Sequence, residues 1–260
     1  MDSEVVDVDG MHDPSTNNSR VNILTAGRYL AVLRGLVDAD ATSYREFILR
    51  KSGSTTVAGR IERPNNASLT FGSSLAVLLN LAVNDYIEAG FRQESGSDLN
   101  VLAVSNQSPY LLVSMINGTQ YCFIYNNADL TITSGTTWSW LTFNTEDSDT
   151  DSMHSTVSNT GRITINTAGL YAIFGQIQWA SNSSGYRGLQ IRVNGDDNKI
   201  SGGHTAWPQI AMAWNQQIFT TLELAVNDYL ELGVRQSSGG DLAVSYIAGL
   251  SPYFSVVRID

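Results

Sequence analysis

Leu81–Leu99 reads LAVNDYIEAGFRQESGSDL, and Leu224–Leu242 reads LAVNDYLELGVRQSSGGDL. Each version holds a short apolar run, an Asn-Asp pair before Tyr86 or Tyr229, and a Gly/Ser/Asp tip. Outward from this pair, Ser19–Leu33 (SRVNILTAGRYLAVL) returns as Gly161–Phe174 (GRITINTAGLYAIF), and Ser108–Ile116 (SPYLLVSMI) returns as Ser251–Ile259 (SPYFSVVRI). Matched residues stand about 142–143 positions apart, too far for a solenoid unit and right for a duplicated domain. The expected domains are 1–116 and 117–260. Little linker separates them, because Ile116 is followed by NGTQ and then at once by the apolar YCFIY.

The apolar pattern within each copy is short and mostly alternating. RVNIL, GRYLAVLRGLV, YREFILRK, DYIEAGFRQ and PYLLVSMI are each bounded by turn formers such as DPSTNNS, DADATS and ESGSD. Spaced short strands with polar turns predict an all-β sandwich. SSLAVLLNLAV could be read as helix from its Leu/Ala content, but its counterpart NQQIFTTLELAV carries Ile, Phe and two Thr, which predicts strand in both copies. The copies differ at their start. The second has a lead-in, Thr119–Phe143 (TQYCFIYNNADLTITSGTTWSWLTF), whereas Met1 of the first falls opposite Phe143. An unpaired sheet edge is a liability, so we expect either a longer protein or a second chain that supplies those strands by β-augmentation.

Net charge is −10 and Lys/Arg residues form no cluster, which argues against a phosphate backbone or an anionic membrane surface as partner. The single cysteine, Cys122, lies among apolar neighbours and reads as a small core residue. No apolar run is long enough for a spanning helix, and the acidic MDSEVVDVDG start does not read as a secretory signal.

Met11–Leu33 (MHDPSTNNSRVNILTAGRYLAVL) resembles the front half of the complement C1q globular-head / TNF-like family, through Asp13-Pro14-Ser15-Thr16 and Ala26-Gly27-Arg28-Tyr29. In the second copy Ala168-Gly169-Leu170-Tyr171 matches, while STVSNTG has lost the Asp-Pro. YREFILRKSG and YRGLQIRVNG look like the family's strand and turn before its outer hairpin, and the SPY segments occupy the place of its last strand. SWLTFNTEDSDTDSMH (Ser139–His154) is similar to bacterial and phage relatives, and the animal proteins' collagen-like stalk is absent. The resemblance implies two tandem jelly rolls, the first lacking its opening strands. It also implies a tight homotrimer and a binding or structural role without catalysis.

Several constellations could carry chemistry. Glu4, Asp7, Asp9, Met11 and His12 recur as Glu146, Asp149, Asp151, Met153 and His154. In an extended segment Asp7 and Asp9, or Asp149 and Asp151, project to one side and could hold Ca²⁺, a hard cation that prefers oxygen. The plainer reading is a solvated acidic loop, and a third places His12 and His154 at a trimer axis or in the scaffold. No Ser or Cys sits in a nucleophile turn, so these histidines do not point to a hydrolase, and no other cofactor is implied. Tyr29/Tyr171 and Tyr110/Tyr253 recur and are expected in the core or a trimer interface. Trp179, Trp207, Trp214 and His204 occur in the second copy alone. They are the candidate contacts with a glycan or protein, Trp207 first, with a trimer interface as the rival use of the tryptophans.

These readings lead to one expectation: a non-enzymatic trimeric surface protein of a bacteriophage virion, as fibre, receptor-binding or capsid-decorating protein. It would be made in the host cytoplasm and would contact other virion proteins or a host-surface glycan or protein. The alternative is a secreted or spore-surface bacterial binding module, which would be extracellular or on the cell surface.

Overall fold

Every regular element among the described residues is a strand. The structure, a computed structural model, describes residues 7, 9–62, 70–103, 109–206 and 211–260, with the backbone alone for residues 62, 71 and 197–206. Its contacts divide into two units, Met1–Ile116 and Asn117–Asp260. Among the described residues no helix is long and apolar enough to cross a membrane.

The first unit holds β1 (Arg20–Asn22), β2 (Gly27–Val37), β3 (Arg45–Lys51), β4 (Thr55–Glu62), β5 (Phe71–Leu81), β6 (Tyr86–Gln93) and β7 (Tyr110–Ile116). They form two antiparallel sheets, β1-β6-β3-β4 and β5-β2-β7. The ambiguous Leu/Ala run is strand β5, paired with β2 along its whole length. Tyr29, Ala31 and Leu33 of β2 alternate into the core, where Phe47, Leu49, Val77 and Ile87 are also buried.

In the second unit β8 (Tyr121–Tyr125), β9 (Leu130–Ile132), β10 (Ser139–Trp140) and β11 (Thr145–Asp149) precede the repeated elements. These are β12 (Arg162–Thr164), β13 (Gly169–Trp179), β14 (Arg187–Val193), β15 (Asp196–Ala206), β16 (Trp214–Leu224) and β17 (Tyr229–Gln236), followed by β18 (Leu242–Val244) and β19 (Tyr253–Arg258). One sheet runs β10-β17-β14-β15 with β12 also on β17; the other runs β11-β8-β19-β13-β18-β9 with β16 on β13. The described residues are thus all-β and form two jelly-roll sandwiches, and among them no counterpart of β8–β10 is present in the first. Cys122 is fully buried in β8, and that burial pushes its thiol pKa up, so it packs as a small apolar side chain.

The turns explain why particular residues recur. Ser52-Gly53 and Asn194-Gly195 all have positive φ, the backbone a tight two-residue hairpin needs. A Cβ on either glycine would also fall 2.7 Å from the hydroxyl of Tyr86 or Tyr229. In LAVNDY, Asn84 and Asn227 adopt φ of 73° and 71°. The next aspartate then accepts a backbone N–H of its own turn: Ala82 N donates to Asp85 (2.7 Å) and Ala225 N to Asp228 (2.8 Å). The repeated motif is a side-chain-capped turn feeding β6 and β17.

Candidate functional site

In the acidic segments before β1 and β12 an aspartate, Asp7 or Asp149 at the end of β11, holds the backbone that follows it. Asp7 accepts the backbone N–H groups of Met11 and His12, one on each oxygen, both at 2.9 Å. Asp149 accepts those of Asp151 (3.2 Å) and Met153 (3.0 Å) on Oδ1 and of His154 (2.9 Å) on Oδ2. The backbone N–H groups of His12 and Met11 hold the Asp7 carboxyl below the usual carboxylate range. Asp7 and Asp149, two of the four carboxylates expected to hold a cation, accept backbone N–H groups of their own segments, while Asp151 Oδ2 is buried without a hydrogen-bond partner. Among the described residues no three His, Cys, Asp or Glu side chains are grouped to hold a metal.

The histidines tie the same loops. His12 Nε2 lies 3.1 Å from Asn18 O, and His154 Nε2 lies 3.2 Å from Thr160 O. The His154 side chain is fully buried, and its Nδ1 lies 2.9 Å from Glu146 Oε1. Each aspartate takes the histidine's backbone N–H, so the carboxylate that meets the His154 ring is that of Glu146 and not that of Asp149.

The tyrosines divide. Tyr29 and Tyr171 are buried and donate their hydroxyls to Thr25 O (2.7 Å) and Thr167 O (2.6 Å). Burial raises both hydroxyl pKa values. Tyr253 is half-buried, with its ring 6.2 Å from that of Phe123 and 6.4 Å from that of Phe174. Tyr110, the residue matching Tyr253, is 46% exposed and so lies outside the core, one of the two places expected for it. Phe123, which meets Tyr253, sits on β8, and among the described residues the first unit has no counterpart of β8.

Trp179 and Trp214 also correct the sequence reading. They are not loop residues: they end β13 and begin β16, and they face each other in register. Both are buried, at 0% and 3% exposure, so neither can meet a ligand within this chain. Trp179 Nε1 donates to Gln216 Oε1 (2.7 Å), Gln216 Nε2 donates to Arg187 O (3.2 Å), and the Arg187 guanidinium lies 5.8 Å from the Trp179 ring centroid. His204 is in β15, opposite Leu189, and not in a loop. Trp207 lies outside the described residues.

A cleft that the motif reading missed lies in the first unit. Arg34, Gly35 and Leu36 of β2, Arg60 of β4, and Gly72, Ser73 and Ser74 of β5 line a space of about 330 Å³. Arg60 Nη1 donates to Ser74 O at 3.2 Å, and Ser73 Oγ is buried without a hydrogen-bond partner. In the second unit Gln176 stands where the first has Arg34, and Asn215, Gln216 and Gln217 stand where it has Gly72, Ser73 and Ser74; all four are buried. Longer amide side chains thus stand at the positions that Gly-Ser-Ser holds in the first unit. The signal was in the sequence as GSS against NQQ, a loss of side-chain volume at one register. A lining that includes Arg34, Arg60 and Ser73 suits an anionic oxygen group, since Arg presents a fork of donors matched to carboxylate or phosphate.

Solved structures that are similar to this chain match about half of it. The globular domain of zebrafish complement 1qA protein is similar at 14% identity, covering 54% of this chain and 98% of that one, with a TM-score of 0.39. Murine APRIL is similar at 9% identity, with the same coverage of each chain and a TM-score of 0.41. Eiger TNF from S. frugiperda is similar at 12% identity over 55% of this chain and 94% of that one, also with a TM-score of 0.41. No family model matches the sequence, and no curated protein matches it.

Proposed function

We propose that the chain is a non-enzymatic, homotrimeric binding protein of a bacteriophage virion surface, and that its first unit binds an anionic host-surface glycan. The observation that carries the binding site is the cleft of Arg34, Arg60 and Ser73 in the first unit, where the second has the buried Gln176, Gln216 and Gln217 at the positions of Arg34, Ser73 and Ser74. A duplicated scaffold allows one copy to keep packing while the other keeps space for a ligand. The virion setting draws on the phage-like wording of Ser139–His154 and on the low charge of a Ser/Thr/Asn-rich chain.

Binding to arrayed acidic and neutral glycans, and to purified host-surface polysaccharide, tests the reading. Acidic glycans should be retained, and Arg60→Ala should weaken them about tenfold or more, since a hydrogen bond to a charged group is worth about 1.5–3 kcal/mol. Binding that Arg60→Ala leaves unchanged would remove the cleft from the reading. No binding to any glycan or host cell would favour capsid decoration over host attachment.

A further inference from the structure

The second unit shows what two open edges of the first are shaped to hold. β8 pairs antiparallel with β19, from Tyr253 opposite Tyr125 to Val257 opposite Tyr121. Under that strand Phe254, Ser255, Val256 and Val257 are all at 0% exposure. In the first unit β7 pairs with β2 as β19 pairs with β13. Among the described residues no strand lies on the other edge of β7, and Tyr110, Leu112 and Met115 are exposed at 46%, 46% and 40%.

The next segment of the lead-in leaves a second gap. β9 pairs with β18, placing Ile132 opposite Leu242 and Leu130 opposite Val244, and those two residues of β18 are 7% and 0% exposed. Val101 keeps the bridge to Val37 that Val244 keeps to Trp179, yet it is 42% exposed. A single side chain records the same absence. Gln236 Nε2 donates to Ile132 O (2.9 Å) and Gly240 O (2.8 Å), while Ser238 N donates to its Oε1. Gln93 repeats the turn half of this arrangement, donating to Ser97 O (2.8 Å) and accepting from Ser95 N (2.6 Å). Among the described residues the bond matching the one to Ile132 O is not made.

We propose that these two edges are one docking surface, and that its occupant is an extended segment of a second polypeptide with the chemistry of Tyr121–Ile132. That segment has an aromatic-aliphatic strand to pair with β7, a polar bridge, and a Leu-Thr-Ile strand to pair with Leu99–Val101. Backbone pairing along β7 supplies affinity, and the alternating apolar side chains that cover Leu111 and Val113 supply specificity. The chain's own Tyr121–Ile132 cannot serve, because Cys122, Phe123, Ile124 and Ile132 are buried in the second unit. The requirement for two strands joined by a short bridge excludes a generic sticky edge, which would take any single strand.

The test adds a synthetic peptide of Thr119–Ser134 to the full chain under reducing conditions and follows hydrogen exchange by mass spectrometry. Protection should appear at Leu111–Met115 and at Leu99–Val101 together. Amides there should slow by about a hundredfold when the peptide is at about 100 times its Kd. A peptide with Phe123→Pro should lose the β7 effect, since proline cannot take its place in the ladder. No protection, or protection confined to Tyr253–Val257 and Leu242–Val244 by strand exchange in the second unit, overturns the proposal. So does concentration-dependent protection of β7 without peptide, which would make a second copy of β7 the occupant.

Discussion

Asp7 and Asp149 show how one residue type in one context can suggest a cation and serve a loop. Three or four carboxylates in a short extended run read as ligands, but the groups that satisfy Asp7 and Asp149 are backbone N–H donors four and five residues on. Such donors are the same for every residue type, so no side-chain pattern can reveal them; only the backbone path can. The consequence is a pH dependence with a definite sign. The Asp7 carboxyl is held below its ordinary value of 3.8 by the N–H groups of His12 and Met11. A group with a lowered folded pKa contributes stability that is present above the unfolded value and lost as pH falls through the folded one. Asp7→Ala should therefore cost about 1 kcal/mol at pH 7, the usual net value of such hydrogen bonds. The difference from the parent should shrink as pH drops below about 4, where the unfolded carboxylate begins to protonate. Urea midpoints of both proteins between pH 7 and pH 3 would check this. A gap that does not narrow in acid would mean that Asp7 acts through packing and not through charge.

At the scale of strands and turns, much was legible because period and punctuation carry it. Alternation marked β2 and β6, and Asn-Asp and Ser-Gly or Asn-Gly marked turns whose left-handed residues the structure contains. The duplication settled the one ambiguous run, since β5 inherited the strand reading from β16. What failed was the setting of the tryptophans. Trp179 and Trp214 form a cross-strand pair that local composition could not show, because the partners are far apart in sequence. The same pairing makes a prediction. Trp179→Phe keeps most of the apolar bulk but removes the donor to Gln216 Oε1, leaving a buried amide oxygen without its partner. An unsatisfied buried acceptor costs about 1–3 kcal/mol. Combining the substitution with Gln216→Leu should return part of that loss, because replacing both partners by apolar groups is closer to neutral. Chemical denaturation of the two single variants and the double variant checks this. Strictly additive losses would mean that the indole N–H contributes nothing and that shape alone matters.

Across the whole molecule, charge and burial act in opposite directions on assembly. Each chain carries a net charge of −10 and has a sequence pI near 4.6, so bringing three copies together costs repulsion that apolar contact must exceed. Exposed charges more than about 8 Å apart are largely screened at physiological ionic strength, whereas apolar burial is not weakened by salt. The proposed trimer should therefore tighten as salt rises from about 0.01 to 0.5 M, and again as pH falls from 8 toward 5. An interface held by salt bridges would loosen with salt. Light scattering of the 28.3 kDa chain should give three times that mass at neutral pH and moderate salt. Sedimentation at low salt should show a growing share of smaller species on dilution. The exposed rows of β7 give this measurement a second use. If the first unit's edges await a strand from a different polypeptide, mass should stop at the trimer when the protein is concentrated alone, and the Thr119–Ser134 peptide should add only its own mass. A chain that stays monomeric at micromolar concentration at every salt and pH would remove the trimer. Growth past the trimer that the peptide suppresses would make β7 of a second copy the occupant and overturn the docking proposal.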